Sequence, residues 1–209
     1  GAIPILEQNT DKFESEIHCW RSICVDWEDV CRNATEDDLP YIENNLDKLN
    51  NEAWFLLSYN PDAIPLLEKY LDKVDWDAIS DNPNGIPLLE KNLDKVCWKT
   101  LCNHENEDVL RLVESNLDKL DENSWYKLCS NTKAIPILEK NLDKLDENSW
   151  YELCSNTKAI PILKKNLDKV VWTVVCENAN EDTILFIEEN LDKLDDDSWV
   201  VLCENYNAV

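Results

Sequence analysis

Residues 133–157 read KAIPILEKNLDKLDENSWYELCSNT, and almost every other segment of the chain is a variant copy of this stretch. Two markers recur in each copy. The first is the aspartate of Asn-Leu-Asp-Lys or a near copy, at Asp11, Asp47, Asp72, Asp94, Asp118, Asp143, Asp168 and Asp192. The second is a tryptophan, at Trp27, Trp54, Trp76, Trp98, Trp125, Trp150, Trp172 and Trp199. The chain is therefore a tandem repeat of eight units.

The spacing of the aspartates gives the period of the repeat. From Asp47 onward the steps are 25, 22, 24, 25, 25 and 24 residues. A period in this range is typical of stacked supersecondary units, each of which covers only its neighbours. We expect one array over 1–209. It would comprise an irregular first repeat at 1–32 with an insertion at about 13–26, regular repeats at 33–203, and the start of a further repeat at 204–209.

Each unit has two halves with helical periodicity. Apolar residues of the first half recur at i, i+3, i+7 and i+10, one stripe of an α-helix, at Ile135, Leu138, Leu142 and Leu145. Proline marks the first turn of this helix A, at Pro65, Pro87, Pro136 and Pro161. In the second half Trp150, Leu153 and Cys154 share one face of a short helix B. The sequence predicts an all-α solenoid of about eight 22–27-residue two-helix repeats, with a longer helix A and a short helix B.

Polar residues predict where helix B begins and ends. Where the tryptophan lies six positions after the lysine, we expect the N-cap at Asn50, Asp121, Asp146 and Asp195. Where it lies three positions after the lysine, the predicted cap is the aspartate before the lysine, at Asp72, Asp94 and Asp168. A left-handed asparagine is expected to close helix B at Asn33, Asn60, Asn82, Asn131, Asn156, Asn178 and Asn205.

The core is predicted from the same pattern. It consists of the eight phased tryptophans together with Leu138, Leu142, Leu153 and Cys154. Helices of about eleven residues are marginal alone, so contacts between repeats must stabilise them. Truncating a buried aromatic side chain costs about 3–5 kcal/mol, which makes the tryptophans the main source of that stability.

Most of the nine cysteines lie in one position, which we call the Trp+4 slot because it follows the tryptophan by four residues. It holds Cys24, Cys31, Cys102, Cys129, Cys154, Cys176 and Cys203, but Ser58 and Ser80 in two other repeats. A slot that accepts cysteine or serine indicates packing of a small side chain. The odd count and the lack of a recognisable signal peptide favour reduced thiols in an intracellular compartment.

Few residues suggest a metal site or catalysis. A zinc site could be drawn only from His18, Cys19, Cys24 and Cys31, but these lack a Cys-x-x-Cys pair, and the last two already have packing roles. The run at 195–197 lacks the ligand spacing of an EF-hand and is better read as a helix cap. The two histidines lie in different repeats, and the carboxylates simply recur with the unit. We therefore predict a protein with no catalytic residue and no cofactor.

Charge restricts the class of partner. The formal net charge is −24, and the sequence pI is near 4.2. Such a surface repels nucleic-acid phosphates and anionic membranes, and the sequence has no run long enough to predict a membrane span. A basic protein is the complementary partner. The alternative is that the charge only keeps the array soluble through self-repulsion.

The stretch NPNGIPLLEKNLDKVCW at 82–98 resembles short repeats that are abundant in predicted proteins of mimivirus-like giant viruses. The resemblance covers nearly the whole chain. It implies a viral or virus-derived origin, with location in the host cytoplasm or the virion, and it brings no catalytic residues with it. The alternation of two helices is also similar to leucine-rich variant repeats, which are curved helical solenoids.

These observations predict a non-enzymatic scaffold that binds a basic protein partner through an acidic or concave face of the solenoid. The alternative is a structural protein whose units associate head to tail into a filament or a virion layer.

Overall fold

The computed structural model describes residues 25–205, which belong to two compact units that meet in sequence between Cys97 and Trp98. Helices pack in sequence-adjacent pairs within each unit, and the described residues contain no strand. The predicted all-α, solenoid-like repeat is confirmed. Nearly all of the insertion expected at about 13–26, and residues 206–209, lie outside the described residues. A single array over the whole chain stays a prediction.

The α-helices alternate between the two halves of the repeat. In the first unit they are α1 (Trp27–Arg32), α2 (Leu39–Glu43), α3 (Asn51–Tyr59), α4 (Ile64–Leu67), α5 (Trp76–Asp81) and α6 (Ile86–Glu90). In the second unit they are α7 (Trp98–Cys102), α8 (Glu107–Glu114), α9 (Glu122–Ser130), α10 (Ile135–Glu139), α11 (Glu147–Ser155), α12 (Ile160–Leu163), α13 (Trp172–Glu177), α14 (Glu181–Glu188) and α15 (Asp196–Glu204). Odd numbers are B helices, and even numbers are A helices.

Helix B of each repeat packs against helix B of the next. The order is α1, α3, α5 in the first unit and α7, α9, α11, α13, α15 in the second. The residue three positions after the tryptophan is fully buried between these helices, as at Leu57, Leu128 and Leu153. Truncating such a leucine to alanine typically costs about 2–5 kcal/mol, so this layer provides much of the stability of each unit.

Helix A differs from its prediction. The A helices contain four to eight residues and the B helices five to nine, so helix A is not the longer of the two. In most repeats the Asn-Leu-Asp-Lys segment leaves the α-helix and forms a separate 3-10 turn, as at Leu142–Lys144. Within α10 the buried residues are Ile137 and Leu138, whereas Ile135, Leu142 and Leu145 are only half-buried.

The asparagine of this segment explains the break. Asn141 has a non-helical backbone, with φ −134° and ψ 29°. Its side-chain amide donates to the Ile137 carbonyl at 2.8 Å, the acceptor that the backbone N–H of Asn141 itself would use in a continuing helix. Five other repeats make the same bond, from Asn45, Asn92, Asn116, Asn166 and Asn190. The asparagine therefore terminates helix A instead of extending it.

The prolines and the long-connection caps agree with the sequence prediction. Pro65, Pro87, Pro136 and Pro161 lie in the first turn of an A helix. The predicted caps Asn50, Asp121, Asp146 and Asp195 each accept a backbone N–H three residues on, at 2.8–2.9 Å. These contacts are local, so nearby residue types suffice to predict them.

The predicted caps of the short connections are wrong. Asp72, Asp94 and Asp168 lie four residues before the tryptophan at which the B helix begins, too far to cap it. The cap of α5 is instead Asp75, whose carboxylate accepts the Ala78 N–H at 2.9 Å. Val171 occupies this position before α13 and supplies no side-chain cap.

The asparagines expected to close helix B in the left-handed conformation do not adopt it. No described non-glycine residue has a positive φ, and Asn60, Asn131 and Asn156 are extended at φ −78° to −84°. Their buried side chains reach the preceding repeat instead. Asn131 Nδ2 donates to the carbonyls of Cys102 at 2.9 Å and His104 at 2.7 Å. Equivalent bonds run from Asn60 to Cys31, from Asn82 to Ser58, from Asn156 to Cys129 and from Asn205 to Cys176.

Candidate interaction surface

The phased tryptophans divide by exposure. Trp54, Trp125 and Trp150 are buried, Trp27, Trp76, Trp98 and Trp172 are half-buried, and Trp199 is 41% exposed. Where the following A half offers an aromatic ring, the tryptophan packs against it, as Trp172 does on Phe186 at 5.2 Å between ring centroids. The tryptophan is thus mainly a contact between successive repeats.

The described cysteines are free thiols, and those of the Trp+4 slot are buried except for Cys203. Burial raises the pKa of Cys31 and Cys129 to about 12 and that of Cys176 to about 11. A thiol with so high a pKa is protonated at neutral pH and is a poor nucleophile and metal ligand. These side chains fill the space between B helices.

Among the described residues, serine occurs in the Trp+4 slot only where the next connection is short. Ser58 Oγ accepts the N–H of Asp75 at 3.0 Å, and Ser80 Oγ accepts that of Cys97 at 3.2 Å. Both precede short connections. Cys154, the third such case, accepts the Val171 N–H through Sγ at 3.3 Å. Before the long connections the slot holds Cys31, Cys102, Cys129 and Cys176. A short connection therefore leaves a backbone N–H that a hydroxyl oxygen accepts well.

The residues considered for zinc do not yield a described site. His18, Cys19 and Cys24 lie outside the described residues, and Cys31 is completely buried among apolar side chains. Within residues 25–205, no three His, Cys, Asp or Glu side chains could together hold a metal ion. Asp195 caps α15 by accepting the Ser198 N–H at 2.9 Å.

Lysines of the A halves form ion pairs with the preceding repeat. The position two residues before the asparagine of Asn-Leu-Asp-Lys, or its equivalent Tyr70, is glutamate in most repeats, and we call it the Glu slot. The lysine that directly follows this slot pairs with the glutamate in the slot of the preceding repeat. These pairs are Lys69–Glu43, Lys91–Glu68, Lys140–Glu114 and Lys165–Glu139, at 2.6–2.8 Å. The next pair is reversed: Lys164 occupies the Glu slot and meets Glu189 at 2.6 Å. The A-half lysines are thus engaged with carboxylates of their own unit.

The B helices carry many acidic residues and few basic ones. Their basic residues among the described residues are Arg32, Lys99 and Lys127. Their acidic residues are Glu28, Asp29, Glu52, Asp77, Asp81, Glu122, Glu147, Glu152, Glu177, Asp196, Asp197 and Glu204. Most of the acidic side chains are exposed. In each unit, therefore, basic side chains are scarcer on the B helices than in the A halves, whereas acidic side chains occur on both.

Aromatic side chains lie exposed on the same helices. Phe55 is 39% exposed, and Tyr59 and Tyr151 are each 49% exposed. The hydroxyl of Tyr126 is hydrogen-bonded to the carboxylate of Glu152 on the next B helix, which raises the pKa of this tyrosine. Tyr59 is hydrogen-bonded to Asp81 in the same way, and its pKa is also raised. The B-helix surface therefore combines carboxylates with aromatic rings.

Comparison of the chain with protein-family models, curated proteins and solved structures found no match. None of the helices described between residues 25 and 205 is long and apolar enough to span a membrane.

The sequence contains a signal for this surface that periodicity alone did not reveal. Residues one and five positions after the tryptophan face outward from helix B, and in α3 both are aromatic, Phe55 and Tyr59. An apolar residue outside the buried stripe of an amphipathic helix is unexpected and points to a contact. The signal becomes readable once the tryptophan is known to face inward.

Proposed function

We propose that the chain is a non-enzymatic scaffold that binds a basic protein partner through the acidic surface of its B helices. The observation that carries this proposal is the scarcity of basic side chains on the B helices. Most lysines lie in the A halves, where several pair with carboxylates, whereas the described B helices hold twelve acidic and three basic residues. Exposed carboxylates without basic neighbours attract a cationic partner and accelerate its association. The proposed kinship with giant-virus repeat proteins concerns the origin of the chain and brings no functional residues with it.

Self-repulsion explains the net charge but not the placement of the basic residues. Acidic residues occur in both halves of the repeat, whereas basic residues are nearly confined to the A halves, so the carboxylates of the B helices have few cations beside them. Aromatic residues on the acidic surface also favour binding, since Tyr and Phe are enriched where proteins contact each other.

The test compares two variants of equal charge. One changes Glu152, Glu177 and Glu204 on the B helices to glutamine, and its matched control changes Glu105, Glu181 and Glu188 in the A halves of the same unit. The probe is a lysine-serine repeat peptide, titrated by calorimetry at low salt. We expect the B-helix variant to weaken binding by about tenfold and the control to leave it within about twofold, from about 0.2–1 kcal/mol per exposed charge.

Equal weakening by the two variants would show attraction by net charge alone, without a B-helix surface. Absence of binding by the unmodified protein would contradict the proposal outright.

A second candidate, self-association, rests on apolar side chains of α14 and α15. Leu185, Trp199 and Val200 are exposed, whereas Trp150, equivalent to Trp199, is only 8% exposed. Light scattering over a range of concentrations tests it. A mass that rises with concentration and falls back in Val200→Glu would support association through α15, and a constant mass of 24.3 kDa would contradict it.

A further inference from the structure

Helices α3 and α5 of the first unit bring two aromatic rings beside two carboxylates. Phe55 and Tyr59 follow Trp54 by one and five residues, and Asp77 and Asp81 follow Trp76 by the same intervals. The C-terminal ends of α3 and α5 lie side by side, since Asn82 Nδ2 donates to the Ser58 carbonyl at 2.8 Å. Equivalent positions of the two helices therefore lie on one surface, and the Asp81 carboxylate lies close enough to the Tyr59 hydroxyl to raise the pKa of that tyrosine.

We propose that Phe55, Tyr59, Asp77 and Asp81 form a site for two arginine side chains of one protein segment. This inference rests on the proposed function and specifies its partner. A guanidinium group can stack on an aromatic ring while donating two parallel hydrogen bonds to a carboxylate. The ammonium group of lysine is a point charge that lacks this planar geometry, so the site favours arginine.

The spacing of the site defines the spacing of the arginines. Residues four apart on a helix are separated by about 6 Å along its axis. In an extended segment, side chains two residues apart lie on one side at a separation of about 6.6 Å. The matching ligand is therefore an extended Arg-x-Arg segment running along α3 and α5.

A cation of the protein itself lies against the ring that is equivalent to Phe55 in the second unit. Tyr126 and Phe55 both directly follow the phased tryptophan, and Lys127 Nζ lies 5.7 Å from the ring centroid of Tyr126. In α3 the residue equivalent to Lys127 is Leu56, which is buried. The first unit thus presents a ring at this position with a leucine in place of the lysine.

The experiment uses three glycine-serine peptides that carry Arg-Ser-Arg, Lys-Ser-Lys, or two arginines placed far apart. Their binding to the full chain is measured by fluorescence anisotropy at low salt. We expect the Arg-Ser-Arg peptide to bind about fivefold more tightly than either of the others, as an added cation–π contact allows. Phe55→Leu with Tyr59→Leu should abolish this preference, and Asp77→Asn with Asp81→Asn should weaken binding of all three peptides.

The matched control is Tyr151→Leu. Tyr151, in α11, is 49% exposed, like Tyr59. The B helix that follows α11 has Thr173 at the position equivalent to Asp77. The control variant should leave the arginine preference unchanged. Tyr59→Gln is a second, polar replacement, and circular dichroism verifies that each variant is folded.

Equal affinity for the arginine and lysine peptides, or an equal effect of Tyr151→Leu and the double leucine variant, would overturn the arginine site. Either result would leave the broader proposal intact if the three B-helix glutamates of the second unit still governed binding. Conversely, if those glutamates had no effect, the broader proposal would fail whatever the arginine preference.

Discussion

Asn131 Nδ2 lies 2.9 Å from the Cys102 carbonyl and 2.7 Å from the His104 carbonyl, while Oδ1 accepts the Lys133 N–H at 2.9 Å. One buried amide therefore donates to carbonyls at the C-terminal end of the preceding B helix and accepts a backbone N–H from the first turn of its own A half. Only an asparagine side chain combines donor and acceptor at this length.

We expect Asn131→Ala to reduce the free energy of unfolding by about 1–3 kcal/mol, because buried carbonyls would lose their donor. Asn131→Asp should also destabilise the protein, since a carboxylate cannot donate to a carbonyl. Urea denaturation followed by tryptophan fluorescence measures the change.

The control is Asn178→Ala. Asn178 is exposed and donates only to Val174 of its own helix at 2.9 Å. Its replacement should change stability by no more than about 0.5 kcal/mol, as is usual for surface sites. Similar losses for both variants would show that the contact between repeats contributes little.

At the scale of the helix, the length of the next connection determines whether the Trp+4 side chain has a backbone N–H to accept. We expect Ser58→Ala to cost about 1–3 kcal/mol, because the Asp75 N–H would lose the acceptor now 3.0 Å away. Cys154→Ser should be milder than Cys129→Ser, because only the former gives the new hydroxyl a backbone N–H to accept, that of Val171. Thermal unfolding of the three variants tests this order, and a larger loss for Cys154→Ser would refute it.

The N-caps of the long B helices should govern acid stability. Hydrogen bonds from Ser124, Ser149 and Ser198 lower the pKa of Asp121, Asp146 and Asp195, respectively. The backbone N–H donates in each pair, and the hydroxyls of Ser124 and Ser198 donate as well. A lowered pKa in the folded state stabilises the protein above the ordinary aspartate pKa of about 4. This stabilisation is lost as the pH falls through the lower, folded value.

Changing all three aspartates to asparagine retains an acceptor oxygen but removes the charge. The variant should therefore lose less stability than the unmodified protein as the pH falls below about 4. Denaturation midpoints measured from pH 6 downward report the difference. Asp143→Asn, an exposed carboxylate in a 3-10 turn, should leave the acid profile unchanged; a profile unaltered by the triple change would contradict a role of the caps.

At the scale of the whole molecule, nearly identical repeats need a means of pairing with the correct neighbour. The reversed pair Lys164–Glu189 differs from Lys165–Glu139 and its equivalents only in the order of the charges. A shift of one repeat would place Lys164 opposite a lysine such as Lys140. The reversal therefore disfavours incorrect pairing of repeats.

We expect Lys164→Glu or Glu189→Lys alone to destabilise the second unit by up to about 1 kcal/mol, because each places like charges together at an exposed site. The double exchange should restore most of the stability, as it recreates the orientation of the other pairs. A double-mutant cycle at low and high salt measures the coupling. Additive effects of the two changes would show that the pair contributes no coupling energy.

Sequence analysis alone predicts the period of the repeat, the all-α class, the helix starts at Pro136 and its equivalents, and the caps at Asp121, Asp146 and Asp195. These features depend on residues within about four positions of each other, so local residue types predict them. Helix A was predicted too long because Asn141 looks like an ordinary residue of an amphipathic stripe until its amide is seen bonded to Ile137.

Contacts between residues one repeat apart become apparent only in the folded protein. Asn131 bonds to a residue 29 positions earlier, Ser58 to one 17 positions later, and Lys165 to one 26 positions earlier. The same holds for the surface where Phe55 and Tyr59 meet Asp77 and Asp81. Periodicity shows which face of a helix is buried, but the packing of successive B helices in register determines which exposed side chains become neighbours.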